Sequence, residues 1–204
     1  MRPAFLRVTF DGTDIHDASP GAILEQARIE YPINDHARCT LCYRQTPDQR
    51  FPVEDLIGKE LAVIAVDAGG AELTLFIGET IELELNYEIS GAWSLRVEGA
   101  SRTLRMDLTR RHRSYTPAPF REQFSRAADF SGLSLVVNAS RPELDAAGGM
   151  LQIGESDFEF FRRFADLCGC AFHATAFGIQ LLDQYLDAGC SVEWPRSPPR
   201  AAVG

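Results

Sequence analysis

The residues with the greatest chemical potential in this 204-residue chain are its cysteines, five in number. Cys39-x-x-Cys42 and Cys168-x-Cys170 have spacings that invite a zinc site, since a thiolate pair closes half of a tetrahedral shell. Against this, Cys39 and Cys42 lie in RCTLCYR, which alternates like a strand. Residues three apart on a strand face opposite sides, a poor arrangement for one metal. Buried structural thiols, a zinc site at Cys39, Cys42, Cys168 and Cys170, and a disulfide within a larger assembly remain open as alternatives. A second candidate is the carboxylate pair Asp157 and Glu159, which has the composition of a general acid and base. Both fall where a helix begins, however, and acids there complement the helix dipole. The histidines His16, His36, His112 and His173 stand in unrelated contexts, without a G-x-S-x-G element or a glycine-rich phosphate loop beside them. The expectation is a protein that is not an enzyme and that carries no cofactor.

The element that positions these groups is Met150–His173, MLQIGESDFEFFRRFADLCGCAFH. Ser156 with Glu159 forms a capping-box pattern. Phe160, Phe161, Phe164, Ala165 and Cys168 then make one apolar stripe at helical spacing, and Gly169 is placed to end the helix. Phe158 lies off that stripe and is a candidate for contact with another subunit. Before this segment, the first hundred residues read as about seven short strands separated by turns, which predicts an antiparallel barrel or sandwich. ELAVIAVD (Glu60–Asp67) is strongly β, and Gly78 within the next strand marks a bulge or a close backbone approach. From Ser101 the composition changes to an arginine-rich block, Arg102, Arg105, Arg110, Arg111 and Arg113, in a chain whose net charge is −9. That overall charge disfavours nonspecific nucleic-acid binding. Thr116-Pro117-Ala118-Pro119 is expected to open a helix, with a strand over Leu133–Val137 after it.

Gln152, Glu155-Ser156-Asp157, the aromatic pair, an arginine and the glycine-ended helix resemble the hub part of the VgrG and phage late control protein D family. Its members carry Q-x-x-E-S-D-x-x-F-L-x-R-L-x-x-x-x-G. Asp55-Leu56-Ile57-Gly58-Lys59-Glu60-Leu61-Ala62, Leu75-Phe76-Ile77-Gly78-Glu79 and the transition Leu104–Tyr115 (a strand ending in L-x-x-D, then R-x-x-R-S-Y) are similar to further blocks of that family in the same order. The resemblance implies a fold that is mainly β with an α+β insertion: a tube-type β-barrel over 1–100, a linking α/β segment over 101–150, a signature helix with a partial second barrel over 151–194, and a tail over 195–204. It implies a virion structural protein, a baseplate hub or tube adaptor of a contractile injection system, which joins a sixfold tail tube to a threefold central spike. Its partners would be the tail tube protein, the spike and other baseplate proteins, with DNA or an effector as passing cargo.

Only about three strands follow the signature helix, too few for a complete second barrel. A homotrimer whose short barrel is completed by a neighbouring chain or a separate partner protein is therefore favoured over a hexamer with one barrel per chain. Arg110, Arg111 and Arg113 are candidates for pairing with an acidic neighbouring subunit. Glu79, Glu82, Glu84 and Glu88 are candidates for an acidic lumen. The start, MRPAFLRVTF, lacks the apolar core of a signal peptide, and no apolar run reaches membrane-spanning length. Synthesis in the bacterial cytoplasm, incorporation into a tail or particle and no membrane insertion are expected. Competing classes are a small zinc- or thiol-dependent regulatory protein and an isolated β-barrel binding module.

Overall fold

A computed structural model describes residues 3–15, 21–45, 55–87, 89, 93–183 and 190–194. The expected strands of the first hundred residues are β1 (Pro3–Phe10), β2 (Thr13–Asp14), β3 (Ala22–Tyr31), β4 (Arg38–Gln45), β5 (Glu60–Asp67), β6 (Glu72–Tyr87) and β7 (Trp93–Ser101). Alternation decides their inner face: Leu6, Val8 and Phe10 on β1, Cys39, Leu41 and Tyr43 on β4, and Trp93, Leu95 and Val97 on β7 all enter one core. The eight-stranded sheet runs β13-β3-β4-β7-β6-β5-β1-β2, where β13 is Cys190–Trp194. Its neighbouring strands pair antiparallel throughout. The sheet wraps its core, but among the described residues no ladder joins β2 to β13 and closes it into a barrel.

β6 holds the wrap together. Its first half pairs with β5 from Glu72 to Glu79, and its second half with β7 from Gly78 to Tyr87. A bulge between Thr80 and Glu82 divides the halves. Before the bulge Phe76, Gly78 and Thr80 point inward; after it Leu83 and Leu85 do. The extra residue shifts the two-residue alternation by one, so Glu79 and Glu82 share the outer face although they are three apart.

The second half of the chain builds its own core. β8 (Arg110–Pro119) and β10 (Ala147–Ser156) form a two-stranded ribbon, while β9 (Ser134–Val137), β11 (Cys170–Ala174) and β12 (Gly178–Asp183) form a sheet ordered β11-β12-β9. Helices α1 (Phe120–Phe130) and α2 (Asp157–Leu167) pack between them. Phe124, Phe161 and Phe164 meet with ring centroids 4.6–4.8 Å apart, the spacing at which offset and edge-on rings attract.

Three expectations are corrected here. Arg102–Asp107, expected to end a strand, is a 3-10 helix. Pro117 and Pro119 lie within β8, and α1 starts only at Phe120. Prolines two apart put both missing N–H groups on the same strand edge, which an unpaired ribbon edge tolerates. The three strands expected to begin a second barrel also divide. β11 and β12 pair with each other and β12 runs parallel to β9, whereas β13 returns to pair with β3. The tail 195–204 lies outside the described residues. Among the described residues, no helix is long and apolar enough to cross a membrane.

A Cβ on Gly78 would sit 2.1 Å from the Ala100 carbonyl oxygen and 2.6 Å from the Phe76 ring, so the close approach expected at this glycine is real. Gly78→Ala forces β6 and β7 apart at the turn of the wrap. It should destabilise the chain by at least about 2 kcal/mol, read as a lower urea midpoint at unchanged slope.

Candidate functional site

The two cores meet along a polar seam. Asn34, in the left-handed conformation at φ 56, receives the Phe172 N–H on its side-chain oxygen and donates its own N–H to the Phe172 carbonyl, both at 2.9 Å. Asparagine is one of the few residues that enters this conformation readily. The seam continues into a relay. His36 Nε2 donates to Asp107 Oδ2 at 2.8 Å, and His36 Nδ1 meets the Thr103 hydroxyl at 2.9 Å. Ser156 donates to the other oxygen of Asp107. Ser156 meanwhile caps α2: its hydroxyl accepts from Glu159 N at 3.0 Å, and Glu159 Oε2 accepts from Ser156 N at 2.9 Å. The expected capping box is thus present and is tied across to Asp107 in the 3-10 helix that follows β7. A cleft of about 340 Å³ opens beside it, lined by Asp35, His36, Asp107, Arg110, Glu159 and Arg162 among others.

Serine, aspartate and histidine in one network have the composition of a hydrolytic triad, but their order is wrong. A triad needs the imidazole at the hydroxyl. Here the carboxylate stands between them, Ser156 is 3% exposed, and its lone pair is committed to a backbone N–H. The arrangement is an anchor and contains no activated nucleophile.

A second network lies directly under α2. Asp157 is buried, and its Oδ1 accepts from Gln152 Nε2 at 2.8 Å and from Arg113 Nη1 at 3.1 Å. Arg111 Nε stands 3.1 Å from Oδ2, close enough for ion pairing though without the angle of a hydrogen bond. Gln152 is itself held by Glu155 O and by the Tyr115 hydroxyl, and Arg113 lies over the Phe130 ring at 4.0 Å. Arg110 spans Gly154 O at 2.8 Å and Glu159 Oε1 at 3.2 Å, yet its side chain stays 69% exposed. Of the three arginines expected at an interface, Arg111 and Arg113 are therefore used within the chain, and Arg110 keeps an outward guanidinium. Phe158 is corrected outright: it is 4% exposed, lies tilted against the His36 ring with centroids 4.0 Å apart and meets Phe172 edge-on at 5.3 Å. It lies off the helix stripe because it fills the seam between the cores, leaving no ring surface for another subunit.

The acidic series is divided. Glu79 pairs with Arg105, and Glu82 and Glu84 are exposed on the outer face of β6 opposite Glu98 and Arg96. Glu88 lies outside the described residues. Cys39 is buried in the first core, whereas Cys168 and Cys170 are buried in the second. Cys42 faces away from Cys39 on β4, as their spacing implies. Among the described residues no three His, Cys, Asp or Glu side chains are grouped to hold a metal ion. Burial pushes the Cys39 and Cys170 thiols up and Cys168 to about 11, which keeps them protonated and poor as metal ligands or nucleophiles at neutral pH.

No protein-family model matches the sequence, and no curated protein matches it. Solved structures do match. A component of the type VI secretion system of E. coli, described as structurally similar to the T4 bacteriophage tail proteins gp27 and gp5, aligns over 87% of this chain and 49% of its own at 15% identity and a TM-score of 0.65. The 43 kDa tail protein of prophage MuSo2 from Shewanella oneidensis aligns over 86% and 52% at 13% identity and a TM-score of 0.68. A chain of the Francisella PdpA–VgrG complex aligns over 79% and 25% at 12% identity and a TM-score of 0.53. The chain thus spans about half, or less, of the length of these structures. At such identities the likeness is one of fold.

Two outcomes follow from this geometry. Asp157→Ala leaves two guanidiniums facing each other beneath α2 and should cost about 2–3 kcal/mol in urea unfolding. That is below the ~3–5 of a fully buried pair because Arg111 and Arg113 remain partly exposed. Iodoacetamide at neutral pH should leave Cys39, Cys168 and Cys170 unlabelled in the native chain and label all three in urea. Cys168 should ionise only as the pH nears about 11, as labelling followed against pH will show.

Proposed function

We propose that this chain is a structural hub or tube-adaptor protein of a contractile phage tail or related injection system, placed between a sixfold tail tube and a threefold spike. The observation that carries the reading is the fold: at least 86% of the chain follows both a type VI secretion component and a prophage tail protein. The Q-x-x-E-S-D element supports it independently. Gln152, Ser156 and Asp157 prove to be the residues that fix α2 against the ribbon and the 3-10 helix after β7, so the resemblance falls on positions with a definite physical task. No enzymatic role is proposed, because the Ser156–Asp107–His36 network is arranged as an anchor.

In this reading three copies form the ring, with a hexamer as the alternative symmetry. Tube, spike and other baseplate proteins are the partners, and DNA or an effector passes through. The chain is made in the bacterial cytoplasm and incorporated into the particle. Arg110 is the arginine with an outward guanidinium for a neighbouring acidic surface, and Glu82 and Glu84 are the acids exposed to line a passage.

Native mass spectrometry of the chain alone, and then with candidate tube and spike proteins, tests this. A trimer or hexamer that recruits both is expected, and a monomer indifferent to both overturns the reading in favour of an isolated binding module. Arg110→Glu should weaken assembly while lowering thermal stability only slightly, because its contacts with Gly154 and Glu159 lie on the exposed surface. Arg111→Glu should lower the melting temperature instead, since it replaces a cation facing the buried Asp157 with a second carboxylate.

A further inference from the structure

The wrap of the large sheet leaves one long strand edge unpaired. β6 is bonded to β5 only through Glu79, after which Thr80 still exchanges hydrogen bonds with Gly58 and Lys59 at 2.8 and 2.9 Å. From Ile81 to Tyr87 the ladder to β7 continues on the opposite edge. Among the described residues, nothing pairs with Ile81–Tyr87 on the β5 side. Every second residue there directs its N–H and C=O away from β7. An exposed edge of this length is a template for another strand.

Along Glu72–Ile77 on the β7 side, the Leu75 carbonyl accepts a hydrogen bond from the Tyr31 hydroxyl. The side chains flanking the open edge are also incomplete. Leu83 and Leu85 face the core but are only partly buried, and Ile81 is 44% exposed. On the outer face stand Glu82 and Glu84, with Glu98 opposite Glu82 and Arg96 opposite Glu84; Arg96 pairs with Glu98, so these three carboxylates stand with one guanidinium.

We infer that Ile81–Tyr87 accepts an added β-strand from another polypeptide, one with apolar residues on its inward face and arginine or lysine on its outward face. Main-chain bonds supply the attachment, and alternate side chains supply the selectivity. Inward apolar residues complete the cover of Leu83 and Leu85. Outward cations meet Glu82 and Glu84, where cross-strand pairs of opposite charge stabilise and like charges repel. The same acids disfavour the obvious competitor, β6 pairing with β6 of a second copy, because each strand would set glutamates against glutamates. The inference rests on strand pairing and side-chain phase, and it holds whether or not the chain is a hub.

Backbone-amide NMR of the whole chain, titrated with a short blocked peptide alternating valine and arginine and, separately, valine and glutamate, tests it. The basic peptide should shift and protect amides within Ile81–Tyr87 while the acidic peptide leaves them unchanged. Glu82→Lys/Glu84→Lys should weaken the basic peptide by about tenfold and admit the acidic one, and Glu82→Gln/Glu84→Gln should fall between them. A helix-forming basic peptide controls for attraction to an acidic protein and should not shift these amides. The inference is overturned if the amides of this stretch directed away from β7 are already protected in the free chain, if the basic peptide acts elsewhere, or if charge reversal leaves its binding unaltered. It is equally overturned if the edge becomes protected with rising concentration of the chain alone.

Discussion

A single buried carboxylate fixes the second half of this molecule. Asp157 occupies the first turn of α2, where the helix dipole favours an anion. Two arginines of β8 and a glutamine of β10 converge on it. The carboxylate therefore joins a helix and both strands of the ribbon at one point. A two-stranded ribbon has little stability alone, and this one gains its definition from the helix it is tied to. The aromatic cluster supplies the burial, but rings can meet in many ways. The fork of guanidiniums on a carboxylate admits few.

The seam between the cores works by the same logic with weaker parts. His36, Asp107 and Ser156 form a directed chain of hydrogen bonds in which each polar atom has its partner. The Phe158 ring covers the imidazole. A purely apolar seam would hold the cores together without fixing their orientation; a satisfied polar network fixes it as well. The capping serine is central because one oxygen serves two structures: it accepts the N–H that starts α2, and its proton reaches Asp107 in the 3-10 helix after β7.

Much of this was legible in the sequence where the signal is local. The capping box, the glycine-ended helix, the strands of the first sheet and the tight approach at Gly78 each follow from a few neighbouring residues. Partnership between distant segments was not. Nothing near Cys190–Trp194 shows that it pairs with β3 instead of β12, and the prolines of β8 read as a helix start because an unpaired edge cannot be seen from sequence. His36 stood in no motif, although Asp107, in the L-x-x-D element, was near at hand. Phe158 was correctly set apart from the helix stripe, but an aromatic off one apolar face turns as readily toward a second core as toward solvent. The bulge at Ile81 had no signature, and it alone decides that Glu79, Glu82 and Glu84 share a side.

The return of β13 to the first sheet bears on how the molecule comes into being. Tyr31 on β3 pairs with Cys190, so an early strand receives its last neighbour only after the whole of the second core has left the ribosome. At synthesis rates of about 5–20 residues per second, that interval lasts roughly 8–30 s. During it β3 presents a bare edge to the crowded cell. Contacts so far apart in sequence also slow folding. The nascent chain is thus exposed to strand-mediated misassociation in the period before β13 emerges, and factors that shield extended segments during translation would act on the β3 edge.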